Sequence, residues 1–310
     1  YTHGGWYYNE HVTEGLAELP GEIAACSPEV IVAMGNLALW ALTGEFGIGN
    51  WRGSELWWSP PAQTAQESSV IPVIPTLHPT MLLRKWEAKA AIVRDLKMRV
   101  VGKLGKMETR RAPTYRFTIA ASVVEVLEMV EALRELAAYQ PVSLAVDVET
   151  RRSRIACVGF GWSPLDALCC PLMHADGTRH WSPEDEARIG RAIRYLMNEP
   201  GVRLGNQNFN YDRQYFAADP VFDFTPKCDF DTMVAQHLIF PGTPKDLTYL
   251  SSMYCEHHVF WKDHENYATE NVDEHKLWRL NCLDVVKTWE VDAAQQRVLA
   301  GLGYACCSAS

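Results

Sequence analysis

Long apolar segments are missing from the sequence. None of the 310 residues belongs to an uncharged apolar run of about eighteen residues or more, the minimum for a membrane-spanning helix. Residues 1–20 also lack the basic start and the apolar centre of a secretion signal. Because the chain begins with Tyr1 rather than Met, we expect the numbering to begin inside a longer protein.

Cysteine motifs are also missing. The nine cysteines are scattered, their number is odd, and no C-x-x-C pair occurs. These features disfavour both a disulfide framework and a cysteine-rich zinc site. Reduced thiols are typical of a cytoplasmic protein, so we expect a cytoplasmic location.

An excess of positive charge is absent as well, since the sequence has 29 basic and 38 acidic residues. Residues 1–112 are balanced at 11 basic and 11 acidic, whereas residues 113–310 have 18 basic and 27 acidic. An acidic half is poorly suited to simple phosphate binding. It is compatible with a carboxylate site for metal ions, because bound cations reverse the local charge.

The sequence predicts two domains, 1–112 and 113–310, which meet in the polar stretch KLGKMETRRAP. In the first domain, predicted helices alternate with short strands, which is typical of a small α/β domain. Residues 84–111 carry ten of its eleven basic residues. We interpret this segment as a solvated helix face and linker, with a basic strip beside a nucleic-acid channel as the alternative.

The second domain begins with a strand and an amphipathic helix. Three consecutive strands are predicted next, at 142–148, 155–161 and 167–172, and helices with one further strand follow. This order is typical of a ribonuclease-H-like sheet. The fold class predicted for the whole chain is therefore α/β, a C-terminal ribonuclease-H-like fold with a smaller N-terminal α/β domain.

The strongest local signal is LAVDVET, Leu144–Thr150. Side chains of a strand alternate between its two faces, so Asp147 and Glu149 point to the same side. Two carboxylates in that position repel each other unless a cation lies between them. Hard divalent ions such as Mg²⁺ or Mn²⁺ take oxygen ligands of this kind. A surface D-x-E at a strand end is the alternative interpretation.

Two further segments carry a carboxylate in an unusual setting. GNQNFNYD places Asn208, Tyr211 and Asp212 at the start of a helix, where an asparagine also commonly acts as a cap. RLNCLDVVKTWEV places Asp284 among apolar residues of a long helix, where the alternative is an ordinary polar stripe. Two metal ions that clamp a phosphodiester need about four carboxylates from several elements, and these segments supply them.

The three segments resemble, in order and spacing, the motifs of the DEDD 3′–5′ exonucleases, in the form that proofreads for family A DNA polymerases. The resemblance covers about residues 113–300 and includes Asp231–Tyr254, which is similar to the stretch after the second motif. It implies two Mg²⁺ or Mn²⁺ ions and a single-stranded DNA 3′ end as substrate. A polymerase domain in the full-length protein is the implied partner.

The resemblance also assigns roles to individual residues. Asp147, Glu149, Asp212 and Asp284 would bind the metals and form the catalytic set, with Glu149 also near the attacking water. Asn208 would lie near the substrate strand, and the helix 247–254 would line the cleft. Independently of the resemblance, Tyr211 is the aromatic side chain that we expect to stack on a base, because single-stranded substrates are often held in this way.

One position departs from the family. The tyrosine subclass has a water-orienting tyrosine four residues before the last aspartate, and Leu280 stands there. Leu280 is one helical turn from Asp284 but offers no hydroxyl. We expect Asn281, on nearly the same helix face, to be the candidate replacement. Loss of such a positioned group commonly lowers a rate by about 10²–10⁴.

The first domain carries a second resemblance. Residues 29–55 and 71–84, with the loop Trp51–Gly53 and the motif His78–Pro79–Thr80, are similar to the later part of the uracil-DNA glycosylase superfamily. In that family His78 would contact a flipped base, and a capping or core histidine is the alternative. The early, water-activating part of the family pattern has no counterpart before residue 29. We therefore expect a partial domain that does not cut a glycosidic bond. Some phage-type polymerases join such a module to a proofreading exonuclease.

Three functional hypotheses follow. The first is a metal-dependent 3′–5′ exonuclease, for which RNA ends are the close alternative because discrimination of the 2′-hydroxyl depends on cleft shape. The second is a non-catalytic module that binds DNA or packs against a polymerase, and Leu280 motivates it. The third is uracil excision by the N-terminal domain, centred on His78 and independent of metal.

Overall fold

The computed structural model describes residues 2–3, 6–7, 10–60, 70–262 and 273–304. The chain divides into two compact units. The N-terminal unit comprises Tyr1–Ala112 and Glu256–Phe260, and the C-terminal unit comprises Pro113–Cys255 and Trp261–Ser310. The assignment of these units to a glycosylase-like and an exonuclease domain stays a prediction.

The N-terminal unit contains a three-stranded sheet with the strand order β3-β5-β4, in which β3 is parallel and β4 antiparallel to β5. Apolar side chains from helix α1 and from all three strands form its core. The elements are β1 (Thr2–His3), β2 (Trp6–Tyr7), α1 (Glu10–Cys26), β3 (Ile31–Met34), α2 (Asn36–Thr43), α3 (Ile48–Trp51), β4 (Leu56–Trp58), β5 (Ile71–Thr76) and α4 (Ala88–Arg94).

The basic segment of this unit is solvated at part of its positions: six of its ten basic residues are exposed, Arg94 is half-buried and three are buried. After α4 the helix continues as a π-helical turn, Asp95–Val100, and a 3₁₀ turn. The side chains of Asp95, Arg99, Lys103 and Arg110 are buried. The interpretation as a solvated face and linker holds for the exposed residues and fails for Arg99, Lys103 and Arg110, because charge composition does not report the partners that make burial of a charge tolerable.

These buried charges are paired within the unit. Asp95 accepts hydrogen bonds from Arg52 Nε at 3.1 Å and from the hydroxyl of Thr76 at 2.8 Å. Glu55 forms ion pairs with Arg99 and Lys103. Removal of one member of such a pair would leave an uncompensated buried charge.

The segment Glu256–Phe260 is part of this hydrogen-bonded network. Arg99 and Lys103 both donate to the backbone carbonyl of Glu256. The backbone N–H of Phe260 donates to Ser54 Oγ at 3.0 Å. A short piece of chain from the second half of the sequence therefore completes the N-terminal unit.

The C-terminal unit is built on a six-stranded sheet with the order β11-β10-β7-β8-β9-β6. Its elements are β6 (Arg116–Ile119), α5 (Val123–Tyr139), β7 (Val142–Arg151), β8 (Arg154–Gly161), β9 (Asp166–Pro171), α6 (Pro183–Met197), β10 (Val202–Asn206), α7 (Phe209–Ala218), β11 (Phe230–Asp231), α8 (Thr232–Ile239), α9 (Leu247–Tyr254) and α10 (Glu274–Gly301).

The topology of this sheet confirms the predicted fold class. Strands β7, β8 and β9 form an antiparallel meander, and β10 returns through α6 to lie parallel to β7. Strand β11 continues the parallel side next to β10, and β6 lies parallel to β9 at the other edge. Three consecutive antiparallel strands followed by parallel ones is the ribonuclease-H-like order.

Helices cover both faces of the sheet. On one face, α5 and α6 pack on the side chains of β7 at Leu144, Val146 and Val148. On the other face, α10 packs through Val285 and Val286 against the alternate positions of the strands. The alternation of β7 therefore buries its even-numbered positions in one core and turns Asp147 and Glu149 towards the α10 side.

Glycines allow α10 to approach the sheet closely. A Cβ atom at Gly161 would lie 2.9 Å from the backbone of Val285, and one at Gly159 would lie 2.3 Å from Asn281 Oδ1. A larger residue at Gly161 would push against the backbone of the helix, and one at Gly159 would displace the side chain of Asn281. Two small positions on β8 thus decide how near Asp284 and Asn281 come to β7.

Several helix starts follow directly from the sequence. Helix α5 begins with a capping box, in which the side chains of Ser122 and Glu125 each accept a hydrogen bond from the backbone N–H of the other residue. Ser182 and Pro183 start α6, and Asp246 caps α9. Within the described ranges, no helix has the length and apolar character that crossing a membrane requires. The seven cysteines of these ranges are free thiols, and Cys306 and Cys307 lie outside the described residues.

Candidate functional site

A cluster of three carboxylates lies on the α10 side of the sheet. Asp147 and Glu149 come from β7, and Asp284 comes from α10. One carboxylate oxygen of each lies within 4.8 Å of the others. We call these three residues the carboxylate cluster. In the described part of the chain, no other group of three or more His, Cys, Asp or Glu side chains offers metal-ligand geometry.

Asp212 is tied to the cluster through two neighbours. It lies buried in the first turns of α7 and accepts the backbone N–H of Val148 at 3.1 Å. Asn206, at the end of β10, donates from Nδ2 to Asp147 Oδ1 at 2.9 Å and to Asp212 Oδ2 at 3.2 Å. The structure therefore brings together all four predicted carboxylates, three as a compact cluster and the fourth beside it.

Burial and the charge of neighbouring carboxylates raise the pKa values of Asp147, Glu149 and Asp212. The pKa of Asp147 rises to about 6, through burial first and the charge of Asp284 second. The pKa of Asp212 rises to about 8, again through burial and then through Asp147. Burial, Asp147 and Asp284 hold the pKa of Glu149 well above its ordinary value. A cation in the cluster would favour the ionised forms.

The donor set fits a hard divalent cation. Carboxylate oxygens from β7 and α10 lie close together, and their residues are half-buried or buried. The side-chain amides of Asn206 and Asn281 hold the carboxylate of Asp147 in its orientation. Mg²⁺ and Mn²⁺ prefer such oxygen ligands. Burial first and the neighbouring carboxylates second disfavour ionisation of Asp147 and Glu149, and a bound cation would oppose both effects.

Asn281 supplies the polar contact on the helix face where Leu280 stands. Its Nδ2 donates to Asp147 Oδ2 at 2.9 Å and to the backbone carbonyl of Asp147 at 3.3 Å. Its Oδ1 is buried without a hydrogen-bond partner, on the side of Gly159. Asn281 therefore orients the carboxylate of Asp147. This contact differs from the role expected of a tyrosine at position 280, whose hydroxyl would orient a water molecule.

Two residues at the site were not predicted from the sequence as members of it. Trp261 Nε1 donates to Asp284 Oδ1 at 2.6 Å, and Lys262 Nζ forms an ion pair with Asp284 Oδ2 at 2.9 Å. No local pattern marks either residue, because the contact joins positions more than twenty residues apart. Asn206 was missed for the same reason.

The two remaining predicted substrate residues lie at the start of α7. Asn208 has a left-handed backbone, with φ of 55°, and its side chain makes no capping hydrogen bond. Its backbone N–H donates to Asp231 Oδ1 at 3.1 Å. Tyr211 is 47% exposed, and its hydroxyl lies 3.2 Å from that of Tyr215. Both side chains are therefore accessible next to the buried Asp212.

His78 belongs to the N-terminal unit and acts as a helix cap. Its Nδ1 accepts the backbone N–H of Thr80 at 3.3 Å and lies 2.8 Å from the Thr80 hydroxyl. The cap begins the 3₁₀ helix Pro79–Leu83. The contacts of His78 are therefore those of the helix cap that the sequence analysis gave as the alternative. The side chain of His78 is exposed.

Comparison with known families gives one match. Residues 8–97 match the family model of the uracil DNA glycosylase superfamily. The match extends beyond residues 29–84 on both sides and covers less than half of the chain. No curated protein matches the sequence.

Several solved structures resemble the chain. Brucella melitensis NrnC is 16% identical with a TM-score of 0.43, over 62% of this chain and 84% of NrnC. The EXO domain of Aedes aegypti Nibbler is 15% identical with a TM-score of 0.47, over 62% of this chain and 94% of that domain. Escherichia coli RNase D, an exoribonuclease involved in structured RNA processing, is 14% identical with a TM-score of 0.44. The match covers 62% of this chain and 47% of RNase D.

Proposed function

We propose that the C-terminal unit is a 3′–5′ exonuclease that depends on Mg²⁺ or Mn²⁺ and removes nucleotides from single-stranded DNA ends. The carboxylate cluster carries this proposal. Asp147, Glu149 and Asp284 would hold the ions, and Asp212 would contribute from the edge of the cluster. Bound metal supplies charge neutralisation at the scissile phosphate and a more acidic water.

The chain's own residues prepare the site for this chemistry. Asn206 and Asn281 each donate to one oxygen of Asp147, which fixes the plane of that carboxylate. Asn206, at the end of β10, also links Asp147 of β7 to Asp212 of α7, which fixes the positions of these two carboxylates relative to each other. Positions held by packed elements of the fold need less reorganisation when a substrate binds.

Substrate contacts are proposed at the start of α7. The exposed ring of Tyr211 is next to Asp212 in the sequence, and a base at the 3′ end could stack on it. The amide of Asn208, which makes no capping hydrogen bond, is available to the sugar–phosphate backbone. The preference for DNA, a proofreading role and a polymerase domain as partner are parts of this proposal that rest on the motif resemblance.

The central test uses a single-stranded oligonucleotide labelled at its 5′ end, with Mg²⁺ or Mn²⁺. The expected result is a ladder that shortens from the 3′ end and disappears with EDTA. Glu149→Gln should abolish the ladder, while Glu135→Gln, at an exposed position of α5, should leave it unchanged. A ladder of parental rate from Glu149→Gln would contradict the assignment. An RNA oligonucleotide of the same sequence measures sugar preference.

A non-catalytic binding module is the second candidate, and Leu280 favours it. The helix position expected to carry a hydroxyl is aliphatic, and the amide of Asn281 is engaged by Asp147. This candidate predicts binding of a 3′ end without any release of nucleotides at any metal concentration. Fluorescence anisotropy with the same oligonucleotide, run beside the ladder assay, separates the two candidates.

Uracil excision by the N-terminal unit is a third candidate, which the family match over residues 8–97 favours. It predicts an alkali-labile abasic site in uracil-containing DNA, formed in the presence of EDTA. We expect no such product, because the part of the family pattern that activates water has no counterpart before residue 29.

A further inference from the structure

Both carboxylate oxygens of Asp284 already have a partner. Oδ1 accepts the indole N–H of Trp261 at 2.6 Å, and Oδ2 pairs with the ammonium group of Lys262 at 2.9 Å. These two partners are consecutive residues from the connection between α9 and α10, outside the three carboxylate motifs. The same short segment therefore occupies both sides of the one cluster member that comes from α10.

The ammonium group of Lys262 acts on the whole cluster. Burial lowers the pKa of Lys262, but attraction by Asp284, Asp147 and Glu149 outweighs that effect and raises the pKa above its ordinary value. Lys262 is therefore fully charged at neutral pH. In return, its charge lowers the pKa of both Asp147 and Glu149. One lysine thus offsets part of the repulsion within the cluster.

The two partners of Asp284 differ in how easily they can leave. Trp261 is half-buried and holds Asp284 through a neutral hydrogen bond. The side chain of Lys262 is 40% exposed, and a lysine ammonium sits on a flexible four-carbon stem and is readily hydrated. Lys262 can move into solvent while Trp261 keeps the orientation of Asp284.

We propose that Lys262 is an internal counter-ion of the cluster that competes with the divalent metal for Asp284. This inference rests on the proposed function, because it concerns the same metal site. A cation that enters the cluster must share Asp284 Oδ2 with a lysine ammonium or displace it. Lys262 therefore stabilises the metal-free cluster and sets the metal concentration at which the site fills.

The test is titration calorimetry of the full chain with Mn²⁺ alone, without nucleic acid. Lys262→Met, which keeps the length of the stem without its charge, should bind Mn²⁺ about tenfold more tightly than the parent. Lys262→Arg retains the charge and should bind close to the parental affinity. Lys85→Met, at an exposed lysine of the N-terminal unit, changes the net charge equally and should leave the affinity unchanged.

Thermal unfolding gives a second measurement of the same exchange. Without metal, Lys262→Met should unfold at a lower temperature than the parent, because the carboxylates lose their cation. Added Mn²⁺ should raise its Tm by more than it raises that of the parent. A protein in which the lysine only packs against the surface would not show this larger response of Tm to Mn²⁺.

The outcomes separate the inference from the proposed function. Equal or weaker Mn²⁺ binding by Lys262→Met, in a parent that binds Mn²⁺, overturns the counter-ion role and leaves the metal site intact. Weaker binding would show that the lysine assists the metal instead. Absence of Mn²⁺ binding in the parent and in every variant overturns the metal site itself, and the inference with it.

Discussion

Glu149→Gln changes one charge in the carboxylate cluster and little else. The two side chains have the same shape, and the Glu149 carboxylate accepts no hydrogen bond from the described residues that glutamine would forfeit. Burial first, and then the charges of Asp147 and Asp284, disfavour the ionised form of Glu149 and raise its pKa. We therefore expect the metal-free variant to be more stable than the parent at alkaline pH.

The magnitude follows from the distances. Two unit charges 4.8 Å apart interact by about 3.5 kcal/mol at an effective dielectric constant of about 20. Glu149 has two such like-charged neighbours, and attraction to Lys262 offsets part of their repulsion. After relaxation of the site we expect a net gain of about 1–3 kcal/mol. In a unit of this size that gain corresponds to a rise in Tm of about 5 °C.

The sign of the effect depends on pH. The pKa of Glu149 is raised in the folded protein, so the stability that its neutral form contributes is fully present below its ordinary pKa. That stability is lost as the pH rises through the folded value, whereas glutamine stays neutral throughout. The Tm of the variant should therefore match that of the parent at about pH 4 and exceed it at about pH 9.

The assay is differential scanning fluorimetry in EDTA across this pH range, repeated with Mn²⁺. Metal should stabilise the parent and have little effect on Glu149→Gln, so the order of the two Tm values reverses when Mn²⁺ is added. Glu135→Gln, an exposed glutamate, controls for the loss of one charge. A variant that is destabilised by the same amount at every pH would refute the repulsion argument.

Three further changes test other parts of the structure. Under the proposed function, Leu280→Tyr should raise the rate in the ladder assay, since it places a hydroxyl where the exonucleases that the sequence resembles have one; an unchanged rate would assign the role to another group. Asp95→Ala should lower the free energy of unfolding of the N-terminal unit by about 3–5 kcal/mol, measured by urea denaturation, because it leaves Arg52 buried without its carboxylate. Gly161→Ala should destabilise the C-terminal unit by about 1–3 kcal/mol, because its Cβ would meet the backbone of α10, whereas Gly242→Ala meets no atom within 4 Å and should be neutral. A neutral Gly161→Ala would show that the helix can shift.

Local patterns in the sequence were sufficient for most of the C-terminal unit. Its strand order follows from three consecutive strand patterns and a crossover helix, and the alternation in LAVDVET placed Asp147 and Glu149 on one face. The strand β4 and the two-residue strand β11 were not predicted, because a strand this short does not show a recognisable alternation of apolar and polar residues.

The buried charges of the N-terminal unit show where composition misleads. Ten basic residues in 28 positions predicted a solvated surface, yet Arg99, Lys103 and Arg110 are buried. Their acceptors are the Glu55 carboxylate and backbone carbonyls, of which that of Glu256 lies more than 150 positions away in the sequence. Burial of a charge depends on such partners, and a sequence window around the charge does not contain them.

The sequence alone pointed to the four acidic residues of the candidate site, Asp147, Glu149, Asp212 and Asp284. Strand alternation and helical period assign such side chains to defined faces of their elements. Only the tertiary structure decided which groups surround them. Close approach of α10 at Gly159 and Gly161 sets the separation of the carboxylates. The connection before α10 brings Lys262 to Asp284. The physical reason is that alternation and helical period act over a few residues, whereas Coulomb interactions and hydrogen bonds depend on distances in space that the folded chain alone establishes.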